Sequence, residues 1–203
     1  MQNDIQLTDL EIQRKGRKVF LLMLVFFIVP IIVVISMYKL NWKPNGVSLG
    51  ELVNPPRLLS SSVELKRDDG SFLPAQFWKE KWSVVYVTDA CEQTCIEKLH
   101  NMRQLHASLY KDSDRAQRIL ITTTQDVAKI KRDYPDLIVI NQPVKNVISF
   151  SEQFMVNGEN TATGNRLYLV DPLGHLMMSY HSTVPLADVR KDVTRLLRYS
   201  WAG

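Results

Sequence analysis

Twenty consecutive residues, Val19 to Tyr38, carry no charged side chain. At ~1.5 Å of rise per residue such a run matches the ~30 Å hydrocarbon core of a bilayer. No other stretch limits the architecture so strongly, because a helix that is apolar all round must be surrounded by lipid or by a large protein core. Pro30 lies mid-span, which a lipid-embedded helix tolerates with a local kink. A cleavable signal peptide is the competing reading. The run exceeds the ~7–15 residues of a signal core, and no small-x-small cleavage site follows it. Arg14, Lys15, Arg17 and Lys18 precede the span, while Lys39 and Lys43 follow it. The bias predicts a single-pass anchor in the inner (cell) membrane, with residues 1–18 as a cytoplasmic segment, residues 19–38 as the transmembrane helix, and the rest in the periplasm or an equivalent space.

The chain has 203 residues and a net charge of +4, with 45% apolar and 23% charged residues. One domain remains once the anchor is subtracted. Much of the positive charge belongs to the cluster before the span, so the domain keeps little basic excess, which argues against nucleic acid as a partner. Residues 39–59 read as a juxtamembrane linker, with Pro44, Gly46, Gly50 and Pro55-Pro56 interrupting any periodicity. Residues 60–203 read as the folded domain.

Within that domain strands and helices alternate. Val63 to Leu65 and the region of Phe72 flank a turn at Arg67-Asp-Asp-Gly70. Ser83 to Thr88 is a short apolar, β-branched run, the mark of a strand covered on both faces. A helix is predicted from Cys91 to Tyr110, with Ile96, Leu99, Met102, Leu105 and Leu109 at spacings of three and four. Arg118 to Thr124 is the next strand, then a short helix from Gln125 to Asp133. Leu137 to Ile140 forms a strand, and Val144 to Phe154 a helix. Leu167 to Val170 and Leu176 to Tyr180 form a hairpin around Asp171-Pro-Leu-Gly174. Pro185 opens a last helix that aligns Leu186, Val189, Val193, Leu196 and Leu197. This order predicts an α/β mixed sheet flanked by helices, and it resembles the layout of the thioredoxin fold.

The two cysteines, Cys91 and Cys95, fall where the Ser83–Thr88 strand turns into the next helix. At a helix start, residues four apart share a face with Cβ atoms ~5–6 Å apart. A disulfide needs ~3.5–4.5 Å, so slight distortion of the first turn permits closure. Asp89 is the expected helix cap, with Glu92 completing a capping box. Cys91 then lies in the first turn, where free N–H groups favour a thiolate and the carboxylates of Asp89 and Glu92 oppose it. Three chemistries stay open: a structural disulfide, a dithiol redox pair, and a soft-metal site, since two thiolates suit Cu(I). A disulfide closing so short a loop adds little stability, which weakens the first. A peroxidatic thiolate needs an adjacent cation, and Lys98 is the one lysine nearby in sequence.

These residues resemble the Sco family, membrane-anchored thioredoxin-fold proteins that help build the copper site of cytochrome c oxidase. The resemblance runs from about Leu58 to Trp201, with the anchor in addition. Leu65-Lys-Arg-Asp-Asp-Gly-Ser-Phe72 looks like the family's opening hairpin. Lys81 to Thr88 followed by Cys91-Glu-Gln-Thr-Cys95 looks like its strand and C-P-x-x-C-P loop. Tyr168-Leu-Val-Asp-Pro-Leu-Gly174 looks like its late strand and turn. The resemblance implies Cys91 and Cys95 as the catalytic pair and as copper ligands. It also implies a respiratory oxidase subunit or another assembly factor as partner, besides the lipid around the anchor.

Two departures stand out. Glu92 and Ile96 replace the family's prolines. The family's copper-binding histidine lies about five residues before the late tyrosine, and that position is Thr163 here. Of the four histidines, His100 and His106 are six apart on a helix and read as solvated; His175 and His181 flank the hairpin strand. Met177 and Met178 point opposite ways, one of them into the core. Thioredoxins carry a cis-proline near the same place, and this chain has none there. The function expected is thiol–disulfide exchange or copper handling through Cys91 and Cys95 in oxidase assembly; the alternative is a non-catalytic scaffold of the same fold.

Overall fold

The structure, a computed structural model, describes residues 2–40, 48–60 and 64–200. The chain divides into two units, residues 1–47 and 48–203. In the first, helix α1 runs from Gln2 to Lys39. Its segment Arg14–Lys39 is long and apolar enough to cross a membrane, and the side chains from Val19 to Ile35 are exposed, as an anchor surrounded by lipid requires. Linker residues 41–47 and the expected strand start at Val63 lie outside the described residues.

The second unit is built on a seven-stranded sheet ordered β1-β7-β6-β3-β4-β5-β2. Its strands are β1 (Glu51–Leu58), β2 (Lys66–Arg67), β3 (Trp82–Thr88), β4 (Ala116–Thr122), β5 (Ile138–Gln142), β6 (Leu167–Val170) and β7 (His175–Tyr180). Strands β3, β4 and β5 are parallel, while β6 runs antiparallel to β3 and β7 to β6. The helices are α2 (Gln93–Ala107), α3 (Ala128–Asp133), α4 (Val144–Ser151) and α5 (Leu186–Tyr199).

Every residue of β3 is buried, as the uninterrupted apolar run anticipates for a central strand. Alternate side chains serve opposite faces. Val84 and Tyr86 join Leu99, Met102 and Leu105 of α2 and Val189, Val193 and Leu197 of α5 in one core. Val85 and Val87 join Phe77, Trp78, Val147, Phe150 and Phe154 in the other. Two cores with a mixed sheet between them make this a thioredoxin-like α/β sandwich.

The expected linker is shorter than residues 39–59. Glu51–Leu58 is a strand, β1, paired antiparallel with β7. Its composition hid it, because Pro55 and Pro56 remove two ladder donors. The pairing register shifts between Leu52 and Arg57, and β1 lies at the sheet edge, the place where proline is tolerated. Gly174, at φ +91°, closes the β6–β7 turn in a conformation that disfavours side chains.

Candidate functional site

Strand β3 ends at Thr88 and α2 begins at Gln93, so four residues make the junction. Cys91 and Cys95 are joined there by a disulfide, with Cα atoms 5.0 Å apart. The two sulfurs have unequal surroundings. Cys95 opens the buried stripe of α2, which continues through Leu99, Met102 and Leu105, and is 2% exposed. Cys91 precedes the helix and is half-buried. A nucleophile from solvent therefore meets Cys91 first.

The expected capping box does not form. Glu92, not Asp89, occupies the N-cap, and it makes no side-chain cap bond. Cys91 thus lies just outside the first turn, not within it. Asp89 is engaged through its main chain: the hydroxyls of Thr122, Thr123 and Thr124 all lie within hydrogen-bond distance of its carbonyl oxygen, Thr123 nearest, and Thr122 shares its one proton between that oxygen and Thr124 Oγ1. The parallel register, with Thr88 beside Thr122, brings these loops together. Sequence reasoning missed this contact, because nothing local marks a threonine run as a brace for a loop 33 to 35 residues away.

Each histidine has its own partner. His100 Nε2 meets Gln104 at 2.8 Å, and His106 Nε2 meets the Ala116 carbonyl oxygen at 3.1 Å. His106 is half-buried, not solvated as its helix position suggested. His175 pairs with Asp171 at 3.2 Å and starts β7, at the sheet end remote from the cysteines given the β3–β6–β7 register. His181 follows β7 at the near end and meets Thr183 at 3.0 Å. Met178 is the core methionine of its pair. Lys98 is half-buried, and burial lowers its ammonium pKa.

The loop before β6, where the resembled family places a histidine, is built differently. Thr163 is exposed. Arg166, 3% exposed, donates hydrogen bonds to Glu159, Glu51 and Ser179 and so pins the loop to β1 and β7. Asn165 accepts a hydrogen bond from Tyr86. Among the described residues no three His, Cys, Asp or Glu side chains gather as a metal site would need. Sulfurs joined to each other offer no thiolate, and reduction exposes only two soft donors. The residues present therefore do not fit a Cys-Cys-His copper site.

A disulfide at the junction of a central strand and a helix, one sulfur open and one closed, on a domain preceded in sequence by a helix long and apolar enough to cross a membrane, defines a protein of the thioredoxin-like class. The family model described as the transmembrane-like, thioredoxin-like, C-terminal domain matches residues 82–200, and the chain belongs to that family. Solved structures with a similar fold include the Arabidopsis thaliana ScoI with copper bound, at 17% identity and a TM-score of 0.57, covering 70% of this chain and 99% of that one. Yeast Sco1 with copper bound is 17% identical at a TM-score of 0.57, over 78% and 96% of the two chains. BsSco, a member of the Sco family of cytochrome c oxidase assembly proteins with an identified disulfide switch, is 16% identical at 0.56, over 74% and 99%. The Sco-type thioredoxin fold expected from the motifs is thereby the fold observed. No curated protein matches the chain in sequence.

Proposed function

We propose that the chain is a membrane-tethered thiol–disulfide exchange protein that assists cytochrome c oxidase assembly through Cys91 and Cys95. The observation that carries this reading is the unequal burial of two bonded sulfurs at the β3–α2 junction. In the oxidised form, a client thiolate attacks Cys91 Sγ, a new sulfur–sulfur bond forms, and Cys95 leaves as a thiolate that takes a proton. The client's second thiolate then attacks the client sulfur of the mixed disulfide and expels Cys91. The client dithiol is oxidised and the Cys91–Cys95 pair reduced; run backwards, Cys91 attacks a client disulfide and Cys95 resolves it.

The likeness to Sco structures supports the choice of client pathway, and α1 supports the tether. An anchor with its N-terminus in the cytoplasm puts the domain in the periplasm, where disulfides persist. Tethering raises the effective concentration toward membrane-embedded clients. The test is the reduction potential of the pair in the detergent-solubilised full chain. A value clearly more oxidising than about −300 mV supports exchange. A value below that, with no transfer to a dithiol client peptide, overturns it in favour of the scaffold alternative.

A further inference from the structure

Three successive threonine hydroxyls converge on one backbone oxygen, two residues before Cys91. Thr122, Thr123 and Thr124 reach the Asp89 carbonyl at 3.3, 2.9 and 3.2 Å. The cluster is braced internally, since the Thr124 amide donates to Thr122 Oγ1 at 3.1 Å. It is also braced from behind. Asn141 on β5, 1% exposed, donates from Nδ2 to the Thr124 carbonyl at 3.1 Å, and Gln125 donates to the Asn141 carbonyl at 3.2 Å. A continuous polar path thus runs from β5 through the β4–α3 loop to the β3–α2 loop.

The two sulfurs depend on different supports. Cys95 is fixed by the packed face of α2. Cys91 stands before the helix, so its position relative to Cys95 follows the loop that Asp89 begins. Closing a disulfide from a dithiol is favoured in proportion to how often the two sulfurs are held at bonding range, which is an effective concentration. Freeing Asp89 lowers that concentration without touching either sulfur.

We infer that Thr122, Thr123 and Thr124, backed by Asn141, are positioning residues that hold Cys91 against Cys95 and so set the reduction potential of the pair. The inference rests on the exchange reading of this site and deepens it. In the reaction tested, dithiothreitol gives two electrons and two protons to the Cys91–Cys95 bond, and its own sulfurs join.

The experiment is a dithiothreitol redox titration of the full chain in detergent, read by free-thiol count. Wild type is compared with a triple Thr122→Val, Thr123→Val, Thr124→Val variant, and with Thr123→Val alone in case the triple variant does not fold. The triple variant is expected to favour the dithiol about tenfold more, equivalent to a potential about 30 mV more oxidising. Thr123→Val, which removes the shortest of the three bonds at its half-buried position, is expected to shift the equilibrium about threefold. Thr123→Ser restores the hydroxyl and is expected to return the wild-type value. Equilibria within 1.5-fold of wild type in Thr123→Val, with folding intact, overturn the positioning role. The absolute wild-type potential tests the exchange reading separately, because the ratio between variants is readable whether that potential is high or low.

Discussion

Tyr86 donates its phenolic hydrogen to Oδ1 of Asn165 over 2.8 Å, and this bond ties the centre of the sheet to the loop before β6. Tyr86 is 1% exposed, and burial raises its pKa, so the phenol stays protonated and able to donate. The bond lies in the loop where a Sco-type site would need a histidine, and its partner there is an amide. Replacing Asn165 by Ala leaves the buried Tyr86 hydroxyl with Thr88 as its remaining side-chain partner and is expected to cost about 1–2 kcal/mol, whereas Tyr86→Phe removes the donor and costs about 1 kcal/mol. A double-mutant cycle by urea unfolding, followed by tryptophan fluorescence, measures the coupling. A coupling indistinguishable from zero contradicts this account of the loop.

The unequal burial of the two sulfurs predicts unequal behaviour of the single serine variants. Cys95→Ser leaves the accessible thiol and is expected to trap mixed disulfides with a client peptide. Cys91→Ser leaves only the buried thiol, which is expected to react with iodoacetamide at least tenfold more slowly than the thiol of Cys95→Ser. Mass spectrometry of quenched reactions gives both rates. Equal rates would show that Cys95 opens as readily as Cys91.

Copper follows the donor count. Oxidised protein presents no thiolate, so it is expected to take up no Cu(I) at this pair. Reduced protein offers two sulfurs, and Cys91→Ser is expected to abolish whatever uptake the pair supports. A Cu(I) titration against a chromophoric chelator reads each state. Uptake unchanged by Cys91→Ser would place the metal elsewhere.

Asp192 on α5, itself buried, accepts the backbone N–H groups of Leu49 and Gly50 at 2.9 and 3.1 Å. These residues lead into β1. Asp192→Ala is expected to destabilise the domain by about 1–3 kcal/mol, because two partly buried donors lose their partner. At Gly50 a Cβ would approach Tyr180 to 2.5 Å and the Met178 methyl to 2.9 Å, so Gly50→Ala is expected to cost about 1–3 kcal/mol by overpacking. The two should not add, since both loosen the same entry to β1. Denaturant midpoints test each variant and their combination.

Acid should loosen the loop before β6. The Arg166 hydrogen bond and charge hold the Glu159 carboxyl below its ordinary value of 4.5. A carboxylate with a lowered folded-state pKa stabilises fully above the unfolded value and loses that contribution as pH falls through the folded one. Stability is therefore expected to fall as pH drops below about 4.5. Glu159→Gln should flatten that part of the profile. Thermal midpoints between pH 3 and 6 check the sign; a midpoint that rises on acidification contradicts it.

The elements with strong local signals were legible in the sequence. The β3 run, the α2 stripe and the β6–β7 hairpin all fall within a few residues of their predicted places. Strand β1 was not legible, because its two prolines argue locally against a strand and only the neighbouring β7 edge makes it one. The helix start was read two residues early, since Asp89 and Glu92 look like a capping box until the β4 loop claims the Asp89 carbonyl.

Charge-free length alone marked Val19 to Tyr38 as long and apolar enough to cross a membrane, since a bilayer asks only for apolar residues in sufficient number. Spacing likewise placed both sulfurs near a helix start and within reach of each other, because four residues of chain keep them close, while the bond between them came from the tertiary structure. Which sulfur faces solvent, which hydroxyls brace the loop and how Arg166 and Asn165 anchor the segment before β6 were decided by tertiary structure. Those outcomes depend on strands and loops remote in sequence, and a short-range pattern carries no record of what lies beside it in space.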